Sequence, residues 1–111
     1  MAQPYIAEYK VGKAVYWITE EGFVDNINPR IPGVAITYPW DEIYASLEFE
    51  QERDPVTGLV QPVLRWMRVY LKGGQMIAQM HIPDNLRPAM LRFYELFKET
   101  QARVTGKTRH R

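Results

Sequence analysis

Polar and apolar positions alternate with a period of two along residues 43–52. Ile43, Ala45, Leu47 and Phe49 fall on one face, and Tyr44, Ser46, Glu48, Glu50 and Glu52 on the other. That pattern predicts a strand with one dry and one wet face, the habit of antiparallel sheets. Six further runs rich in Val, Ile, Tyr, Phe or Trp predict strands over about 5–10, 13–19, 22–27, 33–38, 62–72 and 75–82. Turn residues separate them: Glu20-Glu21-Gly22, then Asn28 to Gly33 with its two prolines, then Pro39, then Asp54 to Gly58. If Gly73-Gly74 is a two-residue primed turn, Leu71 pairs with Met76, Val69 with Ala78 and Met67 with Met80 on the core face. The opposite face then pairs Tyr70 with Ile77, Arg68 with Gln79 and Trp66 with His81.

After residue 82 the period changes. Leu86, Ala89, Met90, Phe93, Leu96 and Phe97 recur at helical spacing, with Arg92, Glu95, Lys98, Glu99 and Arg103 on the other side. Asp84 or Asn85 suits the N-cap, Pro88 suits the first turn, and Gly106 suits the stop. The chain therefore reads as mainly β with one C-terminal α-helix, a curled antiparallel sheet or barrel of about seven strands capped by the helix. Its 111 residues suit one domain, placed at 1–103, with a basic, flexible tail at 104–111. Hydrophobic residues at 46% are ample for a core.

Charge is balanced overall but unevenly placed. Residues 1–53 hold four basic and nine acidic side chains, residues 54–111 ten and four. Arg103, Lys107, Arg109 and Arg111 face no acidic neighbour in the tail, so nucleic acid or another anionic surface is the alternative partner. Against nucleic acid stand Glu48, Glu50 and Glu52, which would repel phosphate from the flanking sheet. The N-terminal MAQPYIAEYK has no basic region followed by an apolar run, and no stretch approaches the ~20 apolar residues of a membrane span. A cytoplasmic protein is expected.

The inventory is poor in chemistry. Cysteine is absent, Ser46 is the single serine, and the two histidines are His81 and His110. No nucleophile–base pair, metal-ligand set or phosphate loop emerges, so no catalytic residues, metal or cofactor are expected and the chain does not read as an enzyme. The three glutamates of the fifth strand stand ~6.6 Å apart and read as a solvated face paired to a neighbouring strand. A small apolar ligand near Met67, Met80, Met90 and Phe93 is a weaker reading than a filled core.

Three passages resemble bacterial pleckstrin-homology-like proteins. Trp17-Ile18-Thr19-Glu20-Glu21-Gly22-Phe23-Val24 is similar to their "strand, T-x-E-G, strand" hairpin, and Ile36 to Ile43 to their "I-x-x-P-W-x-x-I" passage. Lys72-Gly73-Gly74-Gln75 and Ile82-Pro83-Asp84 resemble their last hairpin and the entry to the closing helix. The resemblance spans about residues 5–103 and implies a binding or assembly module rather than an enzyme. Phosphoinositide-binding members carry Lys and Arg in the first hairpin loop; here Lys10 and Lys13 sit beside Glu20 and Glu21, which counts against lipid headgroup binding. The expected function is non-catalytic protein–protein interaction or self-assembly. Its surface is the outer face of the last hairpin, Trp66, Arg68, Tyr70, Ile77 and His81, flanked by Leu64, because Trp, Tyr and Arg are enriched at interface hot spots. The competing reading buries that face beneath the N-terminal strand or loop.

Overall fold

The computed structural model of the protein describes residues 5–26 and 34–106. The strands are β1 (Ala7–Val11), β2 (Ala14–Ile18), β3 (Gly22–Asp25), β4 (Ile36–Pro39), β5 (Ile43–Arg53), β6 (Val60–Leu71) and β7 (Met76–His81). One long helix, α1 (Arg87–Gly106), follows them. The seven strands and the closing helix are those the hydrophobic pattern predicts. They form two antiparallel meanders, β1-β2-β3-β4 and β5-β6-β7. The expected barrel is not formed: among the described residues no ladder joins one sheet to the other. A single 3-10 turn, Trp40–Glu42, carries the chain between the sheets, and side chains make the join.

Those side chains explain why the corner is fixed. Trp40 is buried, donates its indole N–H to the Thr19 carbonyl at 2.9 Å, and meets Phe97 edge-on at 4.9 Å. The Gln101 amide of α1 donates to the carbonyls of Trp40 at 3.0 Å and Ile43 at 2.7 Å, satisfying backbone acceptors that no strand reaches. On the far side the Tyr9 hydroxyl donates to the His81 carbonyl at 2.7 Å, tying β1 to β7. Between these ties lies one core. Met90, Phe93 and Phe97 of α1 are buried against Tyr9, Phe23, Met67, Val69 and Met80 from the two sheets.

The Thr19–Gly22 turn shows why glycine stands there. The Thr19 N–H donates to the Gly22 carbonyl at 2.9 Å, and the Gly22 N–H to the Thr19 hydroxyl at 3.2 Å. Gly22 also pairs with Pro39 across the sheet, so closely that a Cβ would stand 2.1 Å from the Tyr38 carbonyl oxygen. The backbone of β4 therefore requires a residue without a side chain.

The last hairpin corrects the predicted register near its tip. The loop has three residues, Lys72-Gly73-Gly74: the Gly74 N–H donates to the Leu71 carbonyl and the Leu71 N–H to the Gln75 carbonyl, both at 2.8 Å. Gly74 takes φ of 104°, the left-handed residue that such a loop needs. Tyr70 consequently pairs with Met76, not Ile77, and Ile77 is the extra residue of a bulge. From Val69–Ala78 onward the predicted pairs hold, through Met67–Met80 and Trp66–His81.

Other boundaries shift modestly. The predicted strand from 33 begins only at Ile36, and 33 itself lies outside the described residues, as does 27, the predicted end of the third strand. β5 and β6 run further than predicted, to Arg53 and from Val60, since Asp54 closes their turn by accepting the N–H groups of Val56 and Thr57. A bulge at Glu48/Phe49 leaves Arg65 as the extra residue on β6. Asp84 is no side-chain cap: it opens a short 3-10 turn, Asp84–Leu86, and its carboxylate takes Arg65 and Arg87 instead. Pro88 does sit in the first turn of α1, which runs to Gly106, the residue expected to stop it.

Candidate partner-binding surface

On the wet face of β5-β6-β7, Tyr44, Glu50, Gln79 and His81 are exposed and Trp66, Arg68 and Tyr70 half-buried. The strict alternation of β5 sends Tyr44, Ser46, Glu48 and Glu50 outward, and register places them against β6. Tyr44 pairs with Tyr70, Ser46 with Arg68, and Glu48 with Trp66. β7 adds Gln79 opposite Arg68 and His81 opposite Trp66.

These side chains hold one another. The rings of Tyr44 and Tyr70 stack at 5.2 Å with 16° between their planes. Trp66 donates its indole N–H to Glu50 at 2.8 Å, lies 5.2 Å from the His81 ring, and carries the Arg68 guanidinium over its face at 5.5 Å. Arg68 also donates to Gln79 at 3.1 Å and forms an ion pair with Glu48. Glu48 is the hub: it accepts the Tyr70 hydroxyl at 3.0 Å and the Ser46 hydroxyl at 3.2 Å as well. Loss of hydration pushes the Glu48 carboxyl up, but the Tyr70 hydrogen bond and the Arg68 charge outweigh it and hold the group below the usual carboxylate range. The same surroundings, desolvation first and the Glu48 carboxylate second, raise the Tyr70 phenol. Glu48 is thus an anion and Tyr70 a neutral donor at neutral pH.

Of the five residues expected at the surface, Trp66, Arg68, Tyr70 and His81 share this face. Ile77 does not: the bulge turns it toward the core, where it is half-buried, and sends Met76 outward in its place. The flanking Leu64 is buried. Tyr44, Glu48 and Gln79 were missing from the expected surface, although antiparallel pairing of two alternating strands could have found them. The acidic stripe is paired to β6, as anticipated. Glu52 completes it with both oxygens on Arg65 at 2.6 and 2.8 Å, and Arg65 reaches Asp84 at 2.9 Å.

The alternative basic site divides. Arg103 is helical, and its guanidinium grips Glu20 at 2.8 and 3.0 Å, fastening α1 to the β2–β3 turn. Lys107, Arg109 and Arg111 lie outside the described residues. Met67, Met80, Met90 and Phe93 are buried in the core and line none of the described cavities. No helix among the described residues is long and apolar enough to cross a membrane, and no cluster of three or more metal-binding side chains occurs among them. The chain matches no model of a known protein family, no curated protein and no solved structure.

Proposed function

We propose that the protein is a non-catalytic protein–protein interaction module of pleckstrin-homology-like architecture, and that a protein partner docks on the outer face of β5-β6-β7. The order of elements supports the architecture: two antiparallel meanders, joined at a tryptophan corner and closed by a C-terminal helix. The observation that carries the function is the arrest of the half-buried Trp66, Arg68 and Tyr70 in fixed positions by Glu48 and Glu50.

Ordering a rotamer-rich side chain on binding costs roughly 0.5–1.5 kcal/mol. Here the strand neighbours have already ordered three hot-spot residue types, which favours a flat partner contact over solvation. Of the side chains that hold one another there, Tyr44 alone borders one of the described cavities, so a macromolecular surface suits the face better than a small substrate.

Affinity capture from cells that make the protein tests this, using the wild type beside a Trp66→Ala/Tyr70→Ala variant matched for folding by circular dichroism. A protein retained by the wild type and lost by the variant is expected. Identical capture by both would rule the face out.

A further inference from the structure

The β5–β6 hairpin continues beyond the helix as an arm, and its inner face carries a second surface. Up to Leu47 and Met67 the inner residues are covered by α1. Past the bulge the same alternation places Phe49 and Gln51 of β5, and Leu64, Pro62 and Val60 of β6, on the inner side. α1 begins only at Arg87, so Leu64 is the last of them to be buried in the core, while Phe49, Gln51, Pro62 and Val60 stay exposed beside Leu91 of its first turns. Phe49, Leu91, Pro62, Leu64 and Arg87 line an open groove of about 450 Å³.

We infer that this arm is the site of self-association, the inner face of one copy packing on that of a second copy about a two-fold axis. This surface is distinct from the partner face on the other side of the sheet.

Area is the first argument. Phe49 is 59% exposed, Val60 52% and Leu91 44%, and at the tip Val56 is 90% and Leu59 67% exposed. At roughly 150–200 Å² for a large apolar side chain, these exposures sum to about 500 Å². A monomer's largest patch is about 300–600 Å² and commonly functional, and a stable dimer needs about 800 Å² per partner. The five apolar residues supply most of that, and the rim of Gln51, Pro62 and Arg53 surrounds them.

Charge is the second. Arg53 stands at the outer end of the patch, where its guanidinium donates to the Gly58 carbonyl and has no carboxylate partner among the described residues. Glu95 stands at the inner end, one helical turn beyond Leu91, exposed and 3.4 Å from Arg92 of its own helix. Arg53 lies about 13 Å beyond Phe49 along the strand, and Glu95 lies on the other side of it, because α1 runs from Leu91 in the groove toward Gln101 at the Ile43 carbonyl. A two-fold axis near Phe49 therefore turns Arg53 of each copy toward the Glu95 end of the other, as an isologous contact requires.

The edge of the arm is the third. β6 runs on from Leu64 to Val60 with no β7 beside it, and Pro62 removes an N–H from this stretch. A proline on an edge blunts strand addition. The arm is therefore suited to packing by its face.

Sedimentation velocity on the full chain, from about 1 μM to about 200 μM, reads the association directly. The wild type is expected to form a dimer. Phe49→Asp is expected to raise the dissociation constant by about 30-fold or more with its circular dichroism unchanged. Arg53→Glu is expected to weaken the dimer, and Arg53→Glu with Glu95→Arg to restore it. Trp66→Ala/Tyr70→Ala is expected to leave the dimer intact, which separates this surface from the partner face. A wild type that stays monomeric at the highest concentration would overturn the inference and leave the groove to a foreign segment. A dimer indifferent to Phe49→Asp would overturn it as well.

Discussion

The two halves of the β5–β6 ladder carry the same alternation and meet opposite fates. From Ile43 to Leu47 the inward residues lie under Phe93, Phe97 and Met90 and become core. From Phe49 to Arg53 those of β5 lie past the start of α1 and stay exposed, although Leu64 opposite Phe49 is still buried. A period of two therefore states which face is apolar, while the reach of the covering helix decides where that face is buried. The first half sets stability, and the second, on our account, sets association.

The largest effect in this comparison belongs to the covered half. Phe93 is buried and contacts Tyr9 at 5.8 Å between ring centres. Phe93→Ala is expected to cost about 3–5 kcal/mol, much of the ~5–15 kcal/mol that holds a small domain, and thermal melts should show a largely unfolded or aggregating protein. If instead it melted within a degree or two of wild type, α1 would not be the plug.

Gly22→Ala comes next, because its Cβ would strike the Tyr38 carbonyl and not a yielding side chain. A cost of about 1–3 kcal/mol should appear as a lower urea midpoint, with β3 and β4 forced apart. A wild-type midpoint would show that β4 moves freely.

Tyr9→Phe removes the hydroxyl that ties β1 to the His81 carbonyl, and about 1 kcal/mol should go with it at neutral pH. This substitution also has a pH signature. Burial pushes the Tyr9 phenol up to about 12, so the folded state keeps a proton that the unfolded chain releases near its ordinary value of 10. The resulting stability is fully present below pH 10 and is lost as pH rises toward 12. Alkaline melts of Tyr9→Phe should decline less steeply than those of wild type. Tyr16, also raised by burial and secondarily by Asp25, contributes in the same direction and leaves part of the decline in place. At the acid end the sign reverses. Glu48 is held below its usual range, so its contribution is present above the unfolded carboxylate value and is lost as pH falls through the lowered one.

Smallest are the changes in the uncovered half. Phe49→Ala and Glu95→Ala, melted at low concentration, should each alter the stability of the isolated domain little, the latter by less than ~0.5 kcal/mol. A large loss from Phe49→Ala would mean that the arm belongs to the core.

Most of the architecture was legible in the sequence because the apolar spacing is regular. Seven strands and a helix follow from it, as does the β6–β7 register from Val69 inward. What escaped depends on interactions that no local pattern encodes. Ile77 looked outward because a two-residue turn at Gly73-Gly74 was assumed. The three-residue loop and the compensating bulge exchange it with Met76. Asp84 looked like a cap, but Arg65, displaced by its own bulge, claims its carboxylate. Arg103 looked like part of a tail until Glu20, distant in sequence, proved to be its partner. The surface trio of Trp66, Arg68 and Tyr70 was legible, whereas its hub, Glu48, was read only as one of three solvated acids.

Hydrogen exchange on the β5–β6 ladder at two protein concentrations tests the central contrast most directly. Amides of residues 43–47 and 67–71 should exchange slowly at both concentrations, since α1 covers them within one chain. Those of residues 49–53 and of 60, 61, 63 and 64 should exchange faster in dilute solution and slow markedly at high concentration. Exchange in the arm that is indifferent to concentration would contradict the account.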